Sequence, residues 1–247
     1  MGIGRGDSSR RVVGLKPVKI VEFERRLRMM KDLMNGRPVE WNEKDLTLEW
    51  ARELPEIPMH VAAYGPRALG VAGRVGDGVI IQLADPDIIQ WIMETARKAA
   101  AEAGRDPEAL KCIVSAPSHI SDDIADARDQ VRWFPAMVSN HVQDLIDRYG
   151  TDGSVVPKVL TDYVEARKFY DYNEHSRVGA KHGEFVTDEI CDRFCVLGTA
   201  EQATAKLKEL ESIGVDQFNI YLMTEGQDET LVAYGKEIIP QFSGVAA

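Results

Sequence analysis

Residues 58–83, PMHVAAYGPRALGVAGRVGDGVIIQL, are the part of this chain best suited to hold a ligand. A short apolar run (59–63) leads into Tyr64-Gly65-Pro66 and a helical segment over 67–75. Gly76-Asp77-Gly78 then ends the helix and opens a second apolar run, Val79-Ile80-Ile81. Strand, glycine turn, helix and strand in so short a span describe a βαβ unit with its two strands in parallel. Small residues where strand meets helix let a ligand approach the backbone. The first N–H groups of such a helix have no partner within it and face an anion with partial positive charge. The N–H groups of Gly65 and Arg67 can serve in this way, whereas Pro66 has none to give. Spacing alone leaves two readings open, a phosphate cradle or turn chemistry with no ligand.

The remaining elements must position that unit. Residues 1–4 read as the tail of a strand, followed by a loop over 5–16. A helix is expected over 17–35, because Ile20, Phe23, Leu27, Met30 and Met34 recur at three- and four-residue steps and Asn35-Gly36 stops it. Residues 39–50 read as a short hairpin or an extended excursion. Asp85-Pro86 opens a helix to about residue 103, and 110–116 (LKCIVSA) is an apolar strand. A helix over 124–133 follows. Residues 134–192 read as an irregular insertion, helical over 138–149 and 157–170 and polar over 171–184. It forms either a wall of the substrate site or a solvated loop. Residues 194–197 are a short apolar run. Thr199 caps a helix to residue 213, 217–223 is a last strand, and a closing helix spans 229–239. Strands alternating with helices indicate an α/β fold. Five strands stand out, where a chain of 247 residues has the length of an eight-stranded barrel.

A net charge of −10 argues against nucleic acid as a partner. Residues 1–31 are the exception, with nine Lys/Arg against three Asp/Glu, a net +6 that leaves −16 for the rest. Arg5, Arg10 and Arg11 therefore face either an acidic group or solvent. Cys112, Cys191 and Cys195 form no disulfide framework and no metal-ligand spacing, which fits reduced thiols in the cytoplasm. No apolar run approaches about 18 residues, the length needed to span a membrane. No Ser/His/Asp or Cys/His constellation suggests covalent catalysis, and no proton donor is assigned. His175 and His182 are the candidates that the insertion offers.

Four segments together carry a resemblance: GIGRGDSS (2–9), HVAAYGPRALGVAGRVGDGVIIQ (60–82), RFCVLGTAEQATAKLKELESIGVDQFNIYL (193–222) and AYGKEIIP (233–240). In order and spacing the chain resembles the luciferase-like flavin and deazaflavin oxidoreductases, in the branch that includes methylenetetrahydromethanopterin reductase. The resemblance implies a TIM-barrel-like (β/α)8 fold, present here from strand four to strand eight with strands one to three missing, in a single domain over 1–247. It implies coenzyme F420, or alternatively FMN, as cofactor, and hydride transfer to or from a small organic substrate. Carried over by position, it places Gly4, Gly6, Asp7 and Ser8 beside the ring or ribityl chain. Ala62, Ala63, Tyr64, Gly65 and Pro66 would lie under the ribityl phosphate, and Gly78, Ile81 and Gln82 would close the phosphate end. An incomplete barrel further implies either a chain that is inactive alone or a half-barrel that pairs with itself or another subunit as an oligomer. Glycine-rich turns by themselves also fit a phosphate-binding barrel of another family.

Overall fold

Apolar runs punctuated by glycine become parallel strands in the computed structural model, which describes residues 1–164, 177–179 and 181–242. The chain divides into two units, Met1–Ile80 with Ile92–Lys111 and Ile81–Trp91 with Cys112–Ala247.

In the first unit, β1 (Gly2–Gly4) leads to α1 (Asp7–Val12), where a loop is expected. Gly6 takes a left-handed φ of 75° and turns the strand into this helix. Helix α2 (Ile20–Met34) starts three residues later than expected, at the first residue of its apolar series, and buries Phe23 and Leu27 most deeply. The hairpin is confirmed as β2 (Val39–Trp41) and β3 (Lys44–Leu46), antiparallel, with Trp41 opposite Lys44. Its two turn residues, Asn42 and Glu43, both have positive φ, as a two-residue turn matched to strand twist requires. Next come β4 (His60–Ala62), α3 (Pro66–Val75) and β5 (Gly78–Ile81), the expected βαβ unit. β4 pairs in parallel with both β1 and β5.

Asp77 sets the register at the start of β5. Its N–H donates to the Met59 carbonyl at 2.7 Å, and its carboxylate accepts the Met59 N–H at 2.8 Å. The same carboxylate accepts from Lys31 Nζ at 2.5 Å and lies 3.5 Å from Arg105. Burial works to raise the Asp77 pKa, but the Lys31 hydrogen bond, the Met59 N–H and the two cationic neighbours outweigh it and hold the pKa below its usual value. Helix α3 is pinned to α2 by Arg74 on Glu24 at 2.6 Å, and this hydrogen bond, helped by Arg28, brings the Glu24 pKa down to about 2.

Helix α4 (Pro86–Glu102) approaches α3 closely at Gly73. A Cβ there would lie 2.1 Å from the Ala96 carbonyl oxygen, so only glycine fits.

In the second unit, the fully buried Asp85 accepts the Ile88 N–H at the start of α4 and the Arg193 guanidinium at 2.5 Å. β6 (Lys111–Ile120) runs four residues past its expected end at residue 116. It is followed by α5 (Ile124–Val131), capped by Asp123, and by α6 (Trp133–Tyr149). Residues 134–137, read as irregular, are therefore the first turn of a regular helix. Of the helix expected over 157–170, α7 (Lys158–Thr161) and a 3-10 turn (Asp162–Val164) are present; residues 165–170 lie outside the described residues.

Helix α8 (Asp188–Phe194) and strand β7 (Val196–Gly198) replace a single expected apolar run. Then come α9 (Ala200–Ser212), whose Thr199 and Gln202 make the reciprocal cap, β8 (Gln217–Tyr221) and α10 (Gln227–Ala233). β6 pairs in parallel with β8 and with β7. Among the described residues every pairing outside the hairpin is parallel. No described helix is long and apolar enough to cross a membrane.

Two outcomes follow for stability. Gly73→Ala will lower the unfolding free energy by roughly 1–3 kcal/mol in urea titrations, because the added methyl forces α3 from α4. Asp77 titrates at a lower pH folded than unfolded. Its contribution is therefore complete above its unfolded value near 3.8 and is lost as pH falls through the folded pKa. Asp77→Asn will flatten the acid limb of the stability curve in that window.

Candidate functional site

Parallel register in the first unit puts Gly4, Ala62 and Ile80 side by side, with Gly4 beside Ala62 and Ala62 beside Ile80. The segments that follow these residues therefore leave the sheet at one level. This is the carboxyl edge, where α/β folds build ligand sites. It brings together Gly4, Gly6, Ala62, Ala63, Tyr64, Gly65 and Pro66, with Asp7 and Ser8 in the first turn of α1.

Gly78 is not at that edge. It opens β5 beside His60, and the three residues from Gly78 to Ile81 span about 10 Å of strand. The expectation that Gly78 closes a phosphate end is corrected on this ground: Gly76-Asp77-Gly78 forms the clasped turn at the opposite edge.

Gly65 is the N-cap of α3, extended at φ −84° and ψ 152°, with no side-chain cap hydrogen bond and no acidic residue in the first turn. The N–H groups of Ala68 and Leu69 are both spent on the Gly65 carbonyl, at 2.9 Å. Gly65 and Arg67 are thus the donors that an anion would meet. Tyr64 and Ala63 are buried against the turn, while Arg67 is exposed. This donor set fits a phosphate group.

Ile81 and Gln82 belong to the second unit. Ile81 is fully buried, and Gln82 donates to the Tyr221 hydroxyl at 2.9 Å. Tyr221 ends β8 level with Pro117 of β6, and its ring meets Phe134 edge-on at 5.7 Å. One step down the same face, Asn219 donates to the Ser115 hydroxyl at 3.2 Å. Side chains two residues apart on a strand share a face, so His119 continues the Ser115–Pro117 face beyond Tyr221.

Ser115, His119, Asn219 and Tyr221 were not singled out in the sequence. The signal was the SAPSHI run, where Pro117 reads as the end of a strand. In the structure Pro117 sits within β6, and the strand continues for three more residues.

The three cysteines are buried. Burial raises the Cys191 pKa to about 11 and that of Cys195 well up, so neither is a thiolate nucleophile. The nearby Lys206 donates to the Asp192 and Arg193 carbonyls and so closes the end of α8. His175 lies outside the described residues, and His182 falls in the 3-10 turn Lys181–Gly183. Among the described residues no cluster of His, Cys, Asp or Glu is arranged to hold a metal ion.

Parallel strands ending at one level, each leading into a glycine-rich turn or a helix, define an α/β protein. The chain belongs to the luciferase-like monooxygenase family, whose model matches residues 1–217. It is 30% identical over 186 residues to a 5,10-methylenetetrahydromethanopterin reductase of Methanolobus tindarius, covering 74% of this chain and 54% of the relative. The reductase of the same name from Archaeoglobus fulgidus is 26% identical over 251 residues, covering 98% and 73%. Among solved structures, the coenzyme F420-dependent tetrahydromethanopterin reductase from Methanopyrus kandleri superposes with a TM-score of 0.65 at 18% identity. That match covers 98% of this chain and 73% of the other and supports the shared fold. The chain therefore spans little more than half of one curated relative and about three quarters of another.

Tyr221→Phe removes one hydrogen bond to Gln82 and keeps the ring against Phe134. It will cost about 1 kcal/mol in chemical denaturation, with the aromatic near-UV signal retained.

Proposed function

We propose that this chain binds a phosphorylated deazaflavin, coenzyme F420, and supports hydride transfer to or from a small organic substrate; FMN is the alternative cofactor. The observation that carries this reading is the uncapped N-terminus of α3, level with the ends of β1 and β5 and with no acidic residue in its first turn. The coenzyme F420 dependence of the Methanopyrus kandleri reductase that shares this fold supports the deazaflavin. In this reading the N–H groups of Gly65 and Arg67 hold the phosphate, Ala62, Ala63 and Tyr64 line the ribityl chain, and Gly4, Gly6, Asp7 and Ser8 lie by the ring. The bound cofactor supplies the redox chemistry, and the chain supplies orientation and shielding from water.

A second reading is favoured by one observation. β1 is an edge strand of the first unit with exposed Gly2 and Gly4, and Val12, Val13, Val21 and Trp50 are exposed in the same unit. A half-barrel formed by strands four to eight of the family pattern would cover such an edge by pairing with itself or with another subunit. Light scattering separates the two: a stable monomer that binds cofactor removes the pairing requirement.

The cofactor reading is tested by fluorescence titration with coenzyme F420 and, separately, with FMN. Gly65→Asp suits both the extended backbone and the helix cap, yet it sets a carboxylate where the phosphate would lie. The variant will fold at least as stably as the parent and bind the cofactor about tenfold or more weakly. Unchanged affinity would remove the phosphate from this turn.

A further inference from the structure

Two side chains of the second unit are almost wholly buried and each leaves a polar atom without a partner among the described residues. They are His119, 6% exposed, at Nδ1, and Thr224, 4% exposed, at Oγ1. Buried polar atoms are nearly always paired, so such a pair marks a place meant for something else.

The surroundings place both beside α5. His119 Nε2 lies 3.5 Å from the Asp126 carboxylate on α5. One helical turn on, Gln130 of α5 accepts the Glu225 N–H at 2.9 Å, which fixes the segment that holds Thr224. That segment then passes over the imidazole at Gly226, where a Cβ would sit 3.6 Å from His119 Cε1. Gly226 has a left-handed φ of 68°, which glycine adopts without strain. On the far side, Thr230 accepts the Ile120 N–H and Tyr234 donates to Ser118, so α10 is held to the end of β6. The walls are thus fixed from both sides.

The chemistry of the pair is specific. In the neutral ring, the carboxylate beside Nε2 draws the single ring proton to that nitrogen, and Nδ1 is left as an acceptor. The Thr224 hydroxyl can donate as well as accept. A hydroxyl group satisfies both: it donates to Nδ1 and accepts from Thr224. A ketone or ether oxygen satisfies Thr224 only.

We propose that His119 Nδ1 and Thr224 Oγ1 form the subsite that receives a hydroxyl group of the organic substrate, beyond Tyr221 on the same face of the strands. This rests on the oxidoreductase reading above and narrows its substrate to hydroxyl-bearing compounds.

The test uses the full chain labelled with 15N, with the His119 ring signals assigned by comparison with His119→Gln. 2-Butanol and 2-butanone serve as probes, one able to donate a hydrogen bond and the other not. The free protein is expected to show the Nε2–H tautomer, 2-butanol is expected to shift the Nδ1 signal saturably, and 2-butanone is expected to leave it in place. Thr224→Val keeps the shape and will weaken 2-butanol binding about fivefold to tenfold. An Nδ1–H tautomer, equal responses to both probes, or no response to either overturns the subsite, the last leaving a bridging water as its occupant. Coenzyme F420 titration of the same samples separates the two claims. Cofactor binding without a probe response sinks only the subsite, whereas a probe response without cofactor binding sinks the oxidoreductase reading.

Discussion

The geometry of both units depends on one device, an aspartate at the start of a strand that grips the backbone of the strand beside it at both N–H and C=O. Asp77 does this to Met59, and Asp216 does it to Cys112. The Asp216 N–H donates to the Cys112 carbonyl at 2.9 Å, while its carboxylate accepts the Cys112 N–H at 2.8 Å. Parallel strands have no tight hairpin to set their register, and a slip by one residue would reverse every side chain between core and surface. A two-point grip at the amino end removes that freedom. It is why Ala62 stands level with Ile80, and Pro117 with Tyr221, a few residues further on. In the first unit Lys31 and Arg105 neutralise the carboxylate, so the partly buried charge is paired rather than stranded.

Much of this was legible in the residues. The apolar runs at 59–63 and 78–83, separated by a helix bounded by Gly65-Pro66 and Gly76, specify their βαβ unit through local chemistry alone, and the structure follows it closely. Thr199 likewise announces a helix start, which the structure completes as a reciprocal cap with Gln202. What could not be read depends on partners distant in sequence. β6 outlasts Pro117 because β8 and β7 support it along its length. Helix α1 forms where polar residues read as a loop, because Gly6 turns the chain and the Arg10 and Arg11 carbonyls are satisfied within the following turn.

The candidate site divides in the same way. The start of α3 at Gly65 was identifiable because a helix N-terminus is a local feature, and the spacing of the turn displays it. Gly78 was misplaced because glycines flanking an apolar run look alike at both ends; only the register tells which end faces a ligand. His119 and Thr224 were invisible, since their lack of partners is a property of the folded surroundings and not of their own sequence neighbourhood.

The aspartate grips also divide labour along the strands. The Asp77 and Asp216 grips both sit at the amino edge. The opposite edge is built of turns that the register below brings level without such a grip. Substitutions there can accumulate without loosening the sheet, so one scaffold can be retuned to new small molecules by changing a handful of rim positions while its foundations stay untouched.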